Sequence, residues 1–224
     1  MKSFMTFACA AVILFIAASC GTSETGDTPK TRELAKPSLK GTMSVEEALA
    51  TRRSVRSLAD RALSDEHLAQ ILWAAQGITQ KERGLRTAPS AGALYPLEVY
   101  VFLGDGVWHY VPQSHTLTLH VKGDQRDALS KAALGQGSVR TNGAVVLIAA
   151  DYARTTSKYG DRAKQFVHVE VGCVCQNVLL EATALGIVGV PVGAYTEADV
   201  KRVAALPDEQ TPQLLIPLGY PRQE

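Results

Sequence analysis

Apolar residues along this chain change period several times, and each change predicts an element. Ser44-Val45-Glu46-Glu47 has capping-box form, Ser followed three positions on by Glu, and predicts a helix to about Arg52. A second helix opens at Ser64-Asp65-Glu66, where Leu68, Ile71, Leu72 and Ala75 share one face and Gly77 ends it. Apolar runs at Leu97–Leu103 and Val107–Val111, joined by Gly104-Asp105-Gly106, predict a hairpin. His115–Val121 alternates polar and apolar residues, as a partly exposed strand would. A helix over Arg126–Leu134 runs into the break Gly135-Gln136-Gly137, and Gly143–Ala150 is a continuous apolar strand. The longest helix spans about Arg162–Leu185, stopped by Gly186, and its middle, Val169–Leu180, is apolar nearly all round. Ile187–Val190 and Gln213–Leu218 complete the strands. Helices and strands interleave without a regular βαβ repeat, so the fold class is α+β.

The first forty residues follow another pattern. Met1-Lys2 brings one positive charge, Phe4–Ala18 is almost unbroken apolar sequence, and Ala17-Ala18-Ser19-Cys20 places small residues before a cysteine. That run is short for a membrane span and ends in a cleavage-like site, which predicts a signal peptide over residues 1–19. With Cys20 it resembles a bacterial lipoprotein signal, in which Cys20 becomes the lipidated first residue of an envelope-anchored chain; plain secretion is the alternative. Residues 20–41 are rich in Thr, Ser, Lys and Pro and read as a flexible tether, leaving 42–224 as one domain. Cys173 and Cys175 lie about 200° apart on a helix of 3.6 residues per turn, so they do not bridge each other and read as buried structural thiols. The five histidines are scattered and no metal-ligand spacing occurs.

Charge narrows the partners. With 23 basic and 22 acidic residues the net charge is +1, which excludes the broad positive field of a nucleic-acid-binding protein. Basic residues cluster only locally, at Arg52, Arg53 and Arg56 around Ser54. Guanidinium groups and a hydroxyl suit a phosphate monoester, although a solvated basic face has the same composition.

A second segment with chemistry is Arg86-Thr87-Ala88-Pro89-Ser90-Ala91-Gly92-Ala93-Leu94-Tyr95-Pro96. Its small residues let the backbone approach a flat ligand, and a plain helix-to-strand loop is the alternative. Near the end stand Gly189-Val190-Pro191-Val192-Gly193-Ala194-Tyr195 and Pro217-Leu218-Gly219-Tyr220-Pro221-Arg222. In this order and spacing, the four segments resemble the FMN-dependent nitroreductase superfamily, most nearly the azoline-oxidase-type dehydrogenase branch (thiazoline and oxazoline oxidases).

The resemblance implies a central mixed or antiparallel sheet flanked by helices, FMN as cofactor, and a homodimer with the long helix along its interface. It implies that Arg52, Arg53, Ser54, Arg56 and Arg222 approach the flavin phosphate. Pro89, Ser90, Gly92 and Ala93 would wrap the partner subunit's flavin, Gln136 would face its pyrimidine edge, and Gly193 and Ala194 would lie near N5. Many relatives carry Asn at the position of Ala93, and several carry Glu at that of Gly193. Tyr95 would stack on the ring or close the substrate pocket, unless it is a core tyrosine. No Ser-His-Asp, Cys-His or paired-carboxylate set stands out, so no catalytic side chain is assigned; hydride transfer is the cofactor's chemistry. The expected function is an FMN-dependent oxidoreductase acting on a small-molecule or peptide substrate, and the alternative is a non-catalytic envelope binding protein. Relatives draw on NAD(P)H, whereas an envelope-anchored enzyme would need a donor there.

Overall fold

A computed structural model describes Met1 and residues 30–222 of the chain; residues 2–19 of the predicted signal peptide and Cys20 lie outside the described residues. The core is a seven-stranded sheet. Its strands are β1 (Thr31–Glu33), β4 (Leu97–Leu103), β5 (Gly106–Val111), β6 (Thr116–Lys122), β7 (Ala144–Asp151), β8 (Val188–Gly189) and β9 (Gln210–Gly219). They are ordered β1-β6-β5-β4-β7-β9-β8, and every neighbouring pair is antiparallel. A small ribbon, β2 (Ile78–Gln80) with β3 (Leu85–Arg86), stands apart.

Alternation along β4 splits the core in two. Val99 and Val101 join α2 (Asp65–Gln76) and α5 (Ala163–Ala184) on one face, while Tyr100 and Phe102 join α3 (Arg126–Ala132) and α6 (Glu197–Val203) on the other. Among the described residues, no helix is long and apolar enough to cross a membrane.

Two expectations change. Part of the predicted tether is built into the sheet: β1 pairs with β6, Leu34 packs on the core, and the Gln70 side chain clasps Ser38 at both N–H (2.8 Å) and C=O (3.1 Å). Composition misses this because ladder bonds on an open sheet edge need no apolar side chains. The long helix is not apolar all round. Val167, Val171, Val174 and Val178 form a buried stripe, while Val169 is 60% exposed. Cys173 and Cys175 are half-buried free thiols, and burial pushes Cys175 up to about 11 although the Arg52 charge opposes it.

The predicted capping box is present at α1 (Val45–Thr51): Ser44 Oγ accepts from Glu47 N–H at 3.1 Å, and Glu47 accepts from Ser44 N–H at 2.7 Å. Ser44→Ala should cost about 1 kcal/mol, seen as a lower denaturant midpoint with an unchanged slope. An unaltered midpoint would mean that α1 is held by packing alone.

Candidate functional site

Helix α1 delivers the basic cluster to the free side of β8. Arg52 is the C-cap residue and is half-buried; Arg53, Ser54 and Arg56 are exposed. Ser54 forms a parallel bridge with Gly189, and Val55 N–H donates to Gly189 O at 3.0 Å. Farther on, Leu58 bridges Pro221 and Ala59 N–H donates to Tyr220 O at 2.8 Å, which turns Arg222 back toward Arg56. Tyr220 is fixed by its hydroxyl against His67 Nδ1 (3.0 Å) and by the Arg61 guanidinium over its ring at 4.4 Å.

Arg53 differs from its neighbours. Its Nη1 donates to Ala50 O and Arg52 O at 3.0 and 2.8 Å, so it folds back on its own helix end. Among the described residues no carboxylate pairs with Arg52, Arg56 or Arg222. Three arginines and a serine on these adjoining segments, with no acidic partner among the described residues, form a donor set that suits a phosphate.

From Gly189 the chain runs along β9 to the next predicted pair. Val192 and Leu215 exchange backbone hydrogen bonds of 2.7 and 3.0 Å, which leaves Gly193 and Ala194 exposed at the sheet edge. Four residues at about 3.3 Å each put Gly193 roughly 13 Å from the Ser54–Gly189 bridge. A Cβ on Gly193 would meet nothing nearer than Leu214 Cδ1 at 4.0 Å, so packing within the protomer does not require glycine there. Gln136 reaches the same point, its Nε2 donating to Ala194 O (2.8 Å) and Ala133 O (3.1 Å). The structure therefore gathers Arg52, Ser54, Arg56, Arg222, Gln136, Gly193 and Ala194 along one edge.

Pro89, Ser90, Gly92 and Ala93 form a separate surface. Among the described residues, no hydrogen bond or ion pair links them to the basic cluster of their own protomer. Their loop is strained, with Gly92, Ala93 and Tyr95 at φ of 64°, 54° and 47°. Tyr95 N–H donates to Ser90 Oγ at 2.9 Å, and Arg154 Nη1 donates to Tyr95 O at 3.0 Å. The Tyr95 ring lies under the Arg86 guanidinium (4.4 Å), and its hydroxyl accepts from Arg86 N–H at 3.2 Å, so it props its own loop.

Sequence reasoning missed the supports of this loop. Arg154, on α4 (Tyr152–Tyr159), is paired with Glu98 and Asp151. Burial raises the Glu98 carboxyl, but hydrogen bonds and charges from His109 and Arg154 outweigh it and leave the group below the usual range. A Cβ on Gly92 would stand 2.9 Å from Lys158 Nζ and 3.0 Å from Tyr159 OH, so a cation and a phenol also cover the loop. Glu170 on α5 accepts from Ala91 N–H at 2.9 Å. It is the single Asp, Glu, Lys or Arg between Val167 and Leu180, a signal the sequence did carry.

A cavity of about 790 Å³ opens elsewhere, between residues 35–45, α2 and the end of α5, with Trp73, Gln70 and Leu180 in its wall. None of the predicted flavin contacts lines it. The candidate site is an open strip along the sheet edge.

The fold agrees with what the chain is similar to: residues 49–220 match the Nitroreductase family, and the chain belongs to it. A Methanocaldococcus jannaschii protein that carries the nitroreductase name is 40% identical over 195 residues, spanning 84% of this chain and 96% of that one. Among solved structures, a Ralstonia eutropha protein also titled a nitroreductase superposes with a TM-score of 0.79 at 24% identity, over 87% of this chain and 90% of its own. A chain of the E. coli microcin synthetase complex, solved with a truncated pro-microcin bound, gives a TM-score of 0.66 at 21% identity, over 94% and 85%. Both structures share the nitroreductase fold with this chain. Members of the family are generally FMN-dependent oxidoreductases.

Proposed function

We propose that this chain is an FMN-dependent oxidoreductase that works as a homodimer, with each flavin site completed by the partner's Pro-Ser-Ala-Gly loop. The observation that carries the reading is the strip with arginines unpaired among the described residues at one end and bare Gly193 backbone at the other. Arg52, Arg56, Arg222 and the Ser54 hydroxyl hold a phosphate dianion by charge-assisted bonds. The N–H groups of Gly193 and Ala194 supply fixed donors at the far end without a side chain to obstruct a flat ring. FMN, when bound, supplies the hydride chemistry. The protein's part is position, charge and exclusion of water, which fits the lack of an assigned acid–base pair.

Ala93 and the Tyr95-Pro96 sequence favour the azoline-oxidase-like branch, and with it a dehydrogenase acting on a small molecule or peptide. The apolar run ending at Cys20 supports a lipid-anchored place in the cell envelope. There the donor or acceptor is a redox partner of that compartment, with NAD(P)H serving wherever it is within reach.

The purified protein should be yellow, holding one FMN per subunit that bleaches with a reductant and recovers in air. Absorbance and fluorescence titration check this. Colourless protein that takes up no added FMN would overturn the reading and leave a non-catalytic binding protein on this fold.

A further inference from the structure

We propose that Glu170 is a positioning residue, the carboxylate that holds the Pro89–Ala93 loop in the strained shape in which it meets the flavin. The proposal rests on the flavin reading for its consequence, but not for its geometry. Glu170 lies on α5 and is 4% exposed. Ala91 N–H donates to its Oε1 at 2.9 Å, and the neighbouring Ser90 side chain helps to hold its carboxyl down against burial. Ser90 Oγ in turn accepts from Tyr95 N–H at 2.9 Å. The carboxylate thereby anchors one end of a segment whose φ is positive at Gly92, Ala93 and Tyr95, and Ser90 Oγ ties the Tyr95 end back to it. Left-handed backbone at two non-glycine residues persists only where the surroundings over-determine it. The loop's own residues are too small to do so by packing: Pro89, Gly92 and Ala93 are exposed.

A buried carboxylate in an otherwise apolar helix face would be a poor choice for packing alone, because burying its charge is costly without hydrogen-bond donors. Burial does push the Glu170 carboxyl upward, opposed by the bonds from Ala91 and Ser90. The cost is met by ordering the loop. Glutamine has the same shape, yet its uncharged oxygen gives weaker bonds, and its NH₂ cannot accept from a hydroxyl.

The test is amide hydrogen exchange on the flavin-free protein, with FMN titration in parallel. Glu170→Gln should speed exchange at Ala91 and Tyr95 at least about tenfold while β4 and β7 keep wild-type protection, and FMN should bind about tenfold more weakly. Ser90→Ala, which leaves the core untouched, should give the same local pattern. The double variant should show less than the sum of the two, as expected of residues acting through one network. Wild-type exchange at Ala91 in Glu170→Gln, uniform loosening of the whole sheet in both variants, or strict additivity would each overturn the clamp. The two readings fail separately. If wild-type protein takes up no FMN while the local exchange changes as stated, the clamp stands and the flavin reading falls. If FMN binds normally to Glu170→Gln and Ala91 stays protected, the reverse holds.

Discussion

Val178→Asp should unfold the protomer. The apolar middle of the long helix invites the view that Val178 faces a partner chain, where a charge would cost dimerisation and, with it, flavin binding. The structure assigns Val178 to the interior instead: it is fully buried in the cluster that α5 shares with α2 and the sheet. An aspartate there meets only apolar neighbours, and an uncompensated buried charge costs about 3–5 kcal/mol, a large part of the 5–15 kcal/mol that holds a typical domain together. Thermal melts followed by circular dichroism should show a collapse in midpoint or no cooperative transition. Val169, nine positions earlier and 60% exposed, supplies the contrast. Val169→Asp should leave the protomer within about 0.5 kcal/mol of wild type, as surface changes do. A Val178→Asp protein that melts like wild type but sediments as a monomer would restore the interface view.

The same helix shows what periodicity conveys and what it does not. Its length and its stop at Gly186 were legible because apolar density and a terminal glycine are local signals. Its facing was not, because an apolar residue at Val169 and one at Val178 look alike until the neighbours are known. Elsewhere the local signals sufficed: the capping box fixed the start of α1, and two apolar runs around the Gly104-Asp105-Gly106 turn fixed β4 and β5 within a residue.

Elements made mainly of polar residues escaped. Helix α4, Tyr-Ala-Arg-Thr-Thr-Ser-Lys-Tyr, buries only Thr155 and has no apolar stripe to announce it. Strand β1 is held by backbone pairing to β6 and leaves little mark in composition. For the candidate site, the residues at the sheet edge were legible as short motifs of small and basic residues. Their supports were not, because Glu170 and Arg154 reach the loop across 79 and 59 positions of sequence. Such pairs are made by the fold, and no local pattern encodes them.

Arg52→Ala should weaken FMN binding about ten- to a hundredfold, the equivalent of the roughly 1.5–3 kcal/mol carried by a hydrogen bond to a charged group. Arg53→Ala should change it little. Composition treats the two alike, since both are arginines at the end of α1. The structure separates them by where their donors go. Arg53 spends its Nη1 on Ala50 O and Arg52 O, so removing it releases a helix end and no ligand. Arg52 is half-buried at the helix C-cap, two residues from the Ser54–Gly189 bridge, and has no carboxylate partner among the described residues. Its guanidinium makes no hydrogen bond or ion pair among the described residues, so its donors are uncommitted and open to a phosphate. The loss should be smaller for riboflavin, which lacks the phosphate, so the ratio of FMN to riboflavin affinity should fall toward unity in Arg52→Ala. Fluorescence quenching titrations of both flavins against both variants check this. Equal losses from Arg52→Ala and Arg53→Ala, or an FMN-to-riboflavin ratio unchanged in Arg52→Ala, would mean that the phosphate end lies elsewhere on the sheet edge.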